Sequence, residues 1–412
     1  MYIKIAGPAV PHVFAESDYK RVQVLNRELS ADTVFMGNTI IITAPSLNEN
    51  INVSGISSVT SFIINNNPGN QYIHFELGKS DNEKRNVFYF VQIARSFARW
   101  RRLLMKKDVI VHFNFALEKK SILRDTPFVM VARLSGRRMI IHLHGGKFLV
   151  AEPPGWLRSI MSITLTGREP KIVLSGSEKE LVQSRFGSKN VYVLPNSISL
   201  VESANFEHAY LHGKEKPLHL LFLGRIIENK GVQYIYEACK LLTKQGIDFK
   251  LYMAGKGPDE ARWLNLFSSL LGEKFIFKGV VAGKEKIALI KECDVFLLPS
   301  ILGEGLPIAL LESMSFGLVP VTTNDGSMEH LVKNGITGLL VKKHSAEDIA
   351  NAICELNSNQ LLLQTLGKNS KKHITDNYNP DKYIDMLNNI YAEAGIKRQH
   401  AGTDKYIGEN NG

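Results

Sequence analysis

Cysteine is scarce in this chain of 412 residues: Cys239, Cys293 and Cys354 show no ligand spacing. A disulfide framework and a zinc ribbon are thereby excluded, and a reducing compartment is the expectation. Long apolar runs are missing as well. The best, Val295–Leu298 and Ile308–Leu311, are separated by Pro299, Gly303 and Glu304. None approaches the ~20 residues of a membrane-spanning helix. The N-terminus has no basic-then-apolar leader, since Ile3–Val13 holds Lys4, two prolines and a glycine. A cytoplasmic protein is therefore expected. With 44% hydrophobic and 22% charged residues, the composition is that of a soluble globular chain.

What is present is an uneven charge. Residues 1–215 hold 27 Lys/Arg against 18 Asp/Glu, and residues 216–412 hold 23 against 22. A basic front half and a neutral rear half suggest two lobes, the front one facing something anionic. The length also exceeds one core.

Short β-branched runs alternate with helical patterns in both halves, the signature of parallel α/β construction. The first lobe reads as 37–199, with strands at Thr39–Thr43, Tyr72–Glu76, Val109–Phe113, Met139–Leu143, Lys171–Leu174 and Val191–Leu194. Polar residues 200–217 read as a linker, and 218–376 as the second lobe, its strands running from Leu218–Leu223 to Gly338–Val341. A last helix is expected within 377–396, returning to the first lobe, and a flexible tail at 397–412. Residues 1–36 are left as an unassigned extension.

Chemistry concentrates in the second lobe. After the strand Leu218–Leu223 come Gly224, Arg225, Lys230 and Gly231, where α/β sheets bind ligands. Two cations five residues apart suit a diphosphate; a solvated helix entry with a salt bridge explains them equally well. Ala254-Gly255-Lys256-Gly257-Pro258 closes another strand and is taken alone an ordinary turn. The segment Pro299–Pro307 places Glu304 in a loop, with Pro307 expected in the first turn of a helix and Glu312 in its second. Amides near Gly305 and Leu306 suit anionic oxygens. A carboxylate beside an anion site is awkward unless it accepts ligand hydroxyls, which points to a sugar nucleotide.

Here a family resemblance becomes visible. Gly224-Arg225…Lys230-Gly231, Ala254–Pro258, Glu304…Glu312 at E-x7-E spacing, Gly317–Pro320, Glu329 and Asn334–Gly338 resemble, in order across 216–376, the group-1 glycosyltransferases. These are retaining enzymes of the GT-B architecture, so the implied fold is two Rossmann-like domains facing a cleft. In the first lobe, Asn52–Val59 is similar to the loop where relatives place two adjacent glycines facing the donor phosphates; only Gly55 is present here. His142-Leu143-His144-Gly145-Gly146 resembles the family's histidine position near the transferred sugar, and His144 fits it better than His142.

The resemblance implies a division of labour. Arg225 and Lys230 neutralise the diphosphate leaving group, helped by amides at Gly305 and Leu306. Glu304 binds hydroxyls of the donor sugar and Glu312 the ribose, while Lys256 and Val280 lie by the base. Gly55 and His144 approach from the first lobe. No metal or other cofactor is expected: the family generally needs none, and the chain lacks an Asp-x-Asp pair.

For the acceptor, the helix expected near 88–105 is the clue. Arg95, Arg99, Arg102 and Lys106 fall on one stripe, and Ile93, Phe97, Trp100 and Leu104 on the opposite one. With Trp100 as the apolar anchor, such a helix suits an anionic membrane surface; it equally suits packing on a sheet. The expectation is a peripheral transferase at the inner face of the cytoplasmic membrane, extending a lipid-linked glycan in polysaccharide or lipopolysaccharide biosynthesis. A soluble sugar acceptor and a non-catalytic sugar-nucleotide sensor are the alternatives. Nucleic acid is not expected as a partner, because no recognition module accompanies the charge.

Overall fold

The computed structural model describes residues 38–48, 52, 54–78, 87–210 and 216–400. The extension at 1–36 lies outside them, as does 401–412 of the expected tail. The first sheet contains β1 (Thr39–Ala44), β2 (Gln71–Glu76), β3 (Val109–Phe115), β4 (Arg138–Leu143), β5 (Lys171–Val173) and β6 (Val191–Val193). Its order is β2-β1-β3-β4-β5-β6, with every neighbouring pair parallel. The second contains β7 (Leu218–Leu223), β8 (Phe249–Ala254), β9 (Phe275–Gly279), β10 (Val295–Leu298), β11 (Val319–Thr323) and β12 (Leu339–Val341), ordered β12-β11-β10-β7-β8-β9 and again all parallel.

Among the described residues, twelve helices of eight residues or more cover these sheets: α1 (Gly55–Asn66), α2 (Val87–Leu104), α3 (Lys119–Leu134), α4 (Gly155–Leu165), α5 (Gly176–Phe186), α6 (Val232–Lys244), α7 (Glu260–Leu271), α8 (Gly283–Glu292), α9 (Ile308–Ser315), α10 (Ala346–Ser358), α11 (Gln360–Asn377) and α12 (Pro380–His400). Strand side chains alternate between faces, so the first sheet feeds two separate cores. Ile40, Ile42, Ile110 and Ile140 pack with α1 and α12, through Val59, Ile63, Tyr383, Leu387 and Tyr391. Ile41, Val111 and Ile141 pack on the other side with Trp100, Phe128 and Met161 of α2, α3 and α4. The last helix thus leaves the second lobe at Tyr378, whose carbonyl accepts a 2.7 Å bond from Ser197 Oγ, and lies on the first. It continues to His400, beyond the expected end at 396.

Two expectations need correcting. Trp100 is 0% exposed, its Nε1 donating to the Phe128 carbonyl at 3.0 Å. It is a core residue and not a membrane anchor, because the apolar stripe of α2 meets the sheet and α3. Arg95, Arg99, Arg102 and Lys106 remain exposed on the outer side. The segment read as a linker is also partly packed: Tyr210 is buried against the second lobe, donating to the Gly317 carbonyl at 2.8 Å, and His208 meets Asp294 at 3.0 Å. All three cysteines are free. Among the described residues, no helix is long and apolar enough to cross a membrane.

Candidate active site

The strand ends of the two sheets meet. In the second lobe, the loop after β7 and the loop after β8 are tied backbone to backbone: Gly224 N donates to Ala254 O and Ile226 N to Lys256 O, both at 3.1 Å. A Cβ on Gly255 would sit 1.8 Å from the Gly224 carbonyl oxygen, and φ there is +134°, so only glycine permits the approach. The pairing brings exposed Arg225 and Lys256 to one rim. Half-buried Val280 follows β9 beside them, since Gly255 N donates to Gly279 O at 2.7 Å.

Lys230 reaches Glu304 in a direct ion pair, and both side chains are largely covered. Ser300 Oγ donates to the same carboxylate oxygen at 2.5 Å. The Glu304 amide donates to Asp325 Oδ2 at 2.8 Å, and Asp325 in turn pairs with Lys343. A buried carboxylate is tolerated here because a cation and a hydroxyl satisfy it. Sequence reasoning found Lys230 and Glu304 but missed Ser300, Asp325 and Lys343. Each partner is distant in the chain or looks like ordinary loop polarity.

The loop before α9 differs in detail from expectation. The helix begins at Ile308, with Pro307 as its N-cap residue, so the amides of Gly305 and Leu306 belong to the preceding loop. Leu306 is buried, and its carbonyl accepts from Asn196 Nδ2 at 2.8 Å. Glu312 lies in α9 and pairs with Lys286 of α8 at 2.7 Å. Both line a cavity of about 200 Å³ between the lobes, whose other wall is Ser58, Ser61 and Phe62 of α1.

From the first lobe, His144 follows β4. Gly145 has φ +72°, and a Cβ on it would sit 2.7 Å from the backbone of Gly305. The backbones of His144–Gly145 and Glu304–Gly305 therefore touch between the lobes. His144 Nε2 lies 2.7 Å from Asn114 Oδ1. The Asn114 amide nitrogen donates to Thr43 O at 2.6 Å and Thr60 Oγ1 at 3.0 Å, so its oxygen is the acceptor. Nε2 must then carry the proton, leaving Nδ1 as a lone pair. Burial pushes the pKa of His144 down to about 3, so the ring is neutral. Behind it, His142 stacks at 4.1 Å and bonds His112 at 3.2 Å, which meets the Tyr391 hydroxyl at 2.7 Å. Gly55 opens α1, exposed, with nothing within 4 Å of a Cβ built on it, so space does not demand glycine there.

Among the described residues no group of three or more His, Cys, Asp or Glu is arranged to hold a metal ion. Two parallel α/β lobes thus meet at their strand ends, the place where such sheets bind ligands, with the Lys230–Glu304 pair on one lobe and His144 on the other.

Comparison with known proteins agrees. Residues 205–373 match the family described as glycosyl transferases group 1. A Salmonella typhimurium protein provisionally named as the colanic acid biosynthesis glycosyltransferase WcaL is 34% identical over 161 residues, 38% of this chain and 40% of its own. The chain thus spans less than half the length of that relative. The UDP-Gal:alpha-D-GlcNAc-diphosphoundecaprenol alpha-1,3-galactosyltransferase of Escherichia coli is 24% identical over 341 residues, 76% of this chain and 83% of its own. Among solved structures, sucrose-phosphate synthase from Thermosynechococcus elongatus superimposes with TM-score 0.69 at 16% identity, covering 86% of this chain and 98% of that one. Residues 205–373 are thus similar to the group-1 glycosyltransferases, and the fold of the chain is GT-B.

Proposed function

We propose that this protein transfers a hexose from a nucleoside-diphosphate sugar to a lipid-linked glycan in cell-surface polysaccharide biosynthesis. The observation that carries this is the Lys230–Glu304–Ser300 cluster at the strand ends of the second lobe, set across a backbone contact from His144. The galactosyltransferase relative, named for a UDP-sugar and a diphosphoundecaprenol acceptor, supports both a uridine donor and a lipid-linked acceptor.

Arg225 and Lys230 take the charge that develops on the departing diphosphate, the largest electrostatic demand of the reaction. With two fixed cations there, the reaction runs without a metal. Lys230 then leaves part of its pairing with Glu304 for the phosphate, freeing Glu304 to accept sugar hydroxyls. Glu312 receives the ribose, and Lys256 and Val280 flank the base. The His144 Nδ1 lone pair accepts a hydrogen bond from a sugar hydroxyl. The acceptor oxygen attacks from the face the diphosphate leaves, and a phosphate oxygen takes its proton, so configuration is retained. The protein works peripherally on the inner face of the cytoplasmic membrane, where its basic first lobe meets anionic lipid.

Calorimetric titration of UDP, GDP, ADP and CMP tests this, with Lys230→Ala alongside. One diphosphate, UDP, should bind far more tightly than the others and weaken by about 1–3 kcal/mol in the variant. Equal, weak binding of all four, unchanged by the substitution, would sink the donor assignment.

A further inference from the structure

The outer face of the first lobe carries an apolar surface that none of the described residues covers. On α3, Leu123, Pro127, Met130 and Leu134 are all exposed. At 100° per residue they fall within about 60° of one another, a single stripe. On α4, Trp156 and Ile163 form a second stripe, 51% and 41% exposed. The helices lie side by side: Arg133 of α3 donates to the Ile163 carbonyl at 2.6 Å, and Thr126 meets Thr164 at 3.2 Å. Scattered exposed apolar residues need no explanation, but two adjacent stripes at helical spacing do.

Charge identifies the occupant. Between them α3 and α4 hold Lys119, Lys120, Arg124, Arg133 and Arg158 against one acid, Asp125, which is buried and paired with Arg124. Lys119 sits 5.4 Å over the ring of Trp156, at the end of the stripe nearest the cleft. Two copies of this face would bring like charges together, whereas an anionic lipid surface attracts them. An exposed tryptophan flanked by lysines suits the interfacial region of a bilayer. The position suits the chemistry too. Glu118, immediately before α3, bonds the Lys147 amide at 2.7 Å and lies 3.7 Å from a Cβ built on Gly303 of the second lobe. The stripe therefore begins at the cleft mouth.

We propose that the α3–α4 face, through Leu123, Met130 and Trp156 with Lys119 and Lys120, is the surface that docks on anionic membrane and presents the cleft to a lipid-linked acceptor. This deepens the peripheral-membrane reading above and rests on it. The exposed arginines of α2 contribute long-range attraction, while α3 and α4 contribute insertion.

Cosedimentation with mixed phosphatidylcholine–phosphatidylglycerol vesicles tests it, with pure phosphatidylcholine as control. Of the three tryptophans, Trp100 and Trp263 are 0% and 5% exposed. Quenching by brominated lipid consequently reads Trp156, and Trp156→Phe should remove it. The pair Leu123→Ser and Met130→Ser, exposed and so harmless to folding, should weaken partitioning about tenfold or more. Binding retained by that pair, or an unquenched Trp156, would overturn the docking face while leaving membrane association intact. Loss only on Arg99→Glu with Arg102→Glu would move the contact to α2 and equally overturn it. Wild-type protein that ignores every vesicle would remove the membrane reading itself, which UDP calorimetry does not touch. A concentration-dependent dimer abolished by the serine pair, with no vesicle binding, would reassign the face to self-association.

Discussion

Asn114 accepts the one ring proton of His144, which leaves Nδ1 as a lone pair. The asparagine is held in turn by Thr43 and Thr60, so the tautomer is fixed three residues deep. Because burial lowers its pKa to about 3, the neutral form persists at every pH above that value, and no protonation step intervenes near pH 7. Nitrogen-15 spectra of histidine-labelled protein should therefore show His144 protonated at Nε2 and not titrating between about pH 8 and 5. In Asn114→Leu the Nδ1-protonated tautomer should appear, with kcat/KM about tenfold or more lower. A His144 that titrates near pH 6.5 in the wild type would end the argument. In the sequence His144 stands out by the Gly-Gly after it. Asn114 does not, since its partner is 30 residues away on the neighbouring strand. The readable trace was faint: His112 and Asn114 on β3, His142 and His144 at the end of β4, polar at alternate positions of apolar strands.

The strands were legible because buried parallel strands read as continuous β-branched runs, and each of the six in the first sheet lies within a residue or two of its expected bounds. Helix destinations were harder. The stripe of α2 is what either a sheet or a membrane requires, and only packing against Phe75, Phe113 and Phe128 decides for the sheet. The same holds for α12, whose Tyr383, Leu387 and Tyr391 repeat every four residues without saying which lobe they cover. The first sheet decides it: α12 is needed beside α1 to close one face. Leu387→Ala, at a fully buried site, should cost about 2–5 kcal/mol of first-lobe stability. Denaturant unfolding should show an earlier transition for that lobe, with UDP affinity of native protein unchanged. A loss confined to the second lobe's transition would contradict the packing.

The cleft is bridged at several places, among them Gly145 against Gly305, Asn196 on the Leu306 carbonyl, and Ser327 on Glu178 at 2.7 Å. Glu178 is buried, and burial raises its pKa, so this contact is a polar bond inside a dry interface. On the proposed function, such contacts would align His144 with the loop around Glu304 and exclude water, which competes as an acceptor. The E-x7-E spacing marks Glu304 and Glu312 in the sequence, but the bridge is invisible there, because it joins two backbones. Gly145→Ala tests it. A methyl 2.7 Å from Gly305 backbone forces the lobes apart, since neither chain can yield as a side chain would. Gly136→Ala is the control: its φ of +65° imposes a similar backbone cost, with nothing within 4 Å. Misalignment on the order of 1 Å costs up to about 10²-fold in rate. Gly145→Ala should thus lose turnover on that scale while UDP still binds the second lobe, and Gly136→Ala should lose stability but little rate. Equal effects of the two substitutions on turnover would mean that backbone strain, and not the lobe contact, is what Gly145 relieves.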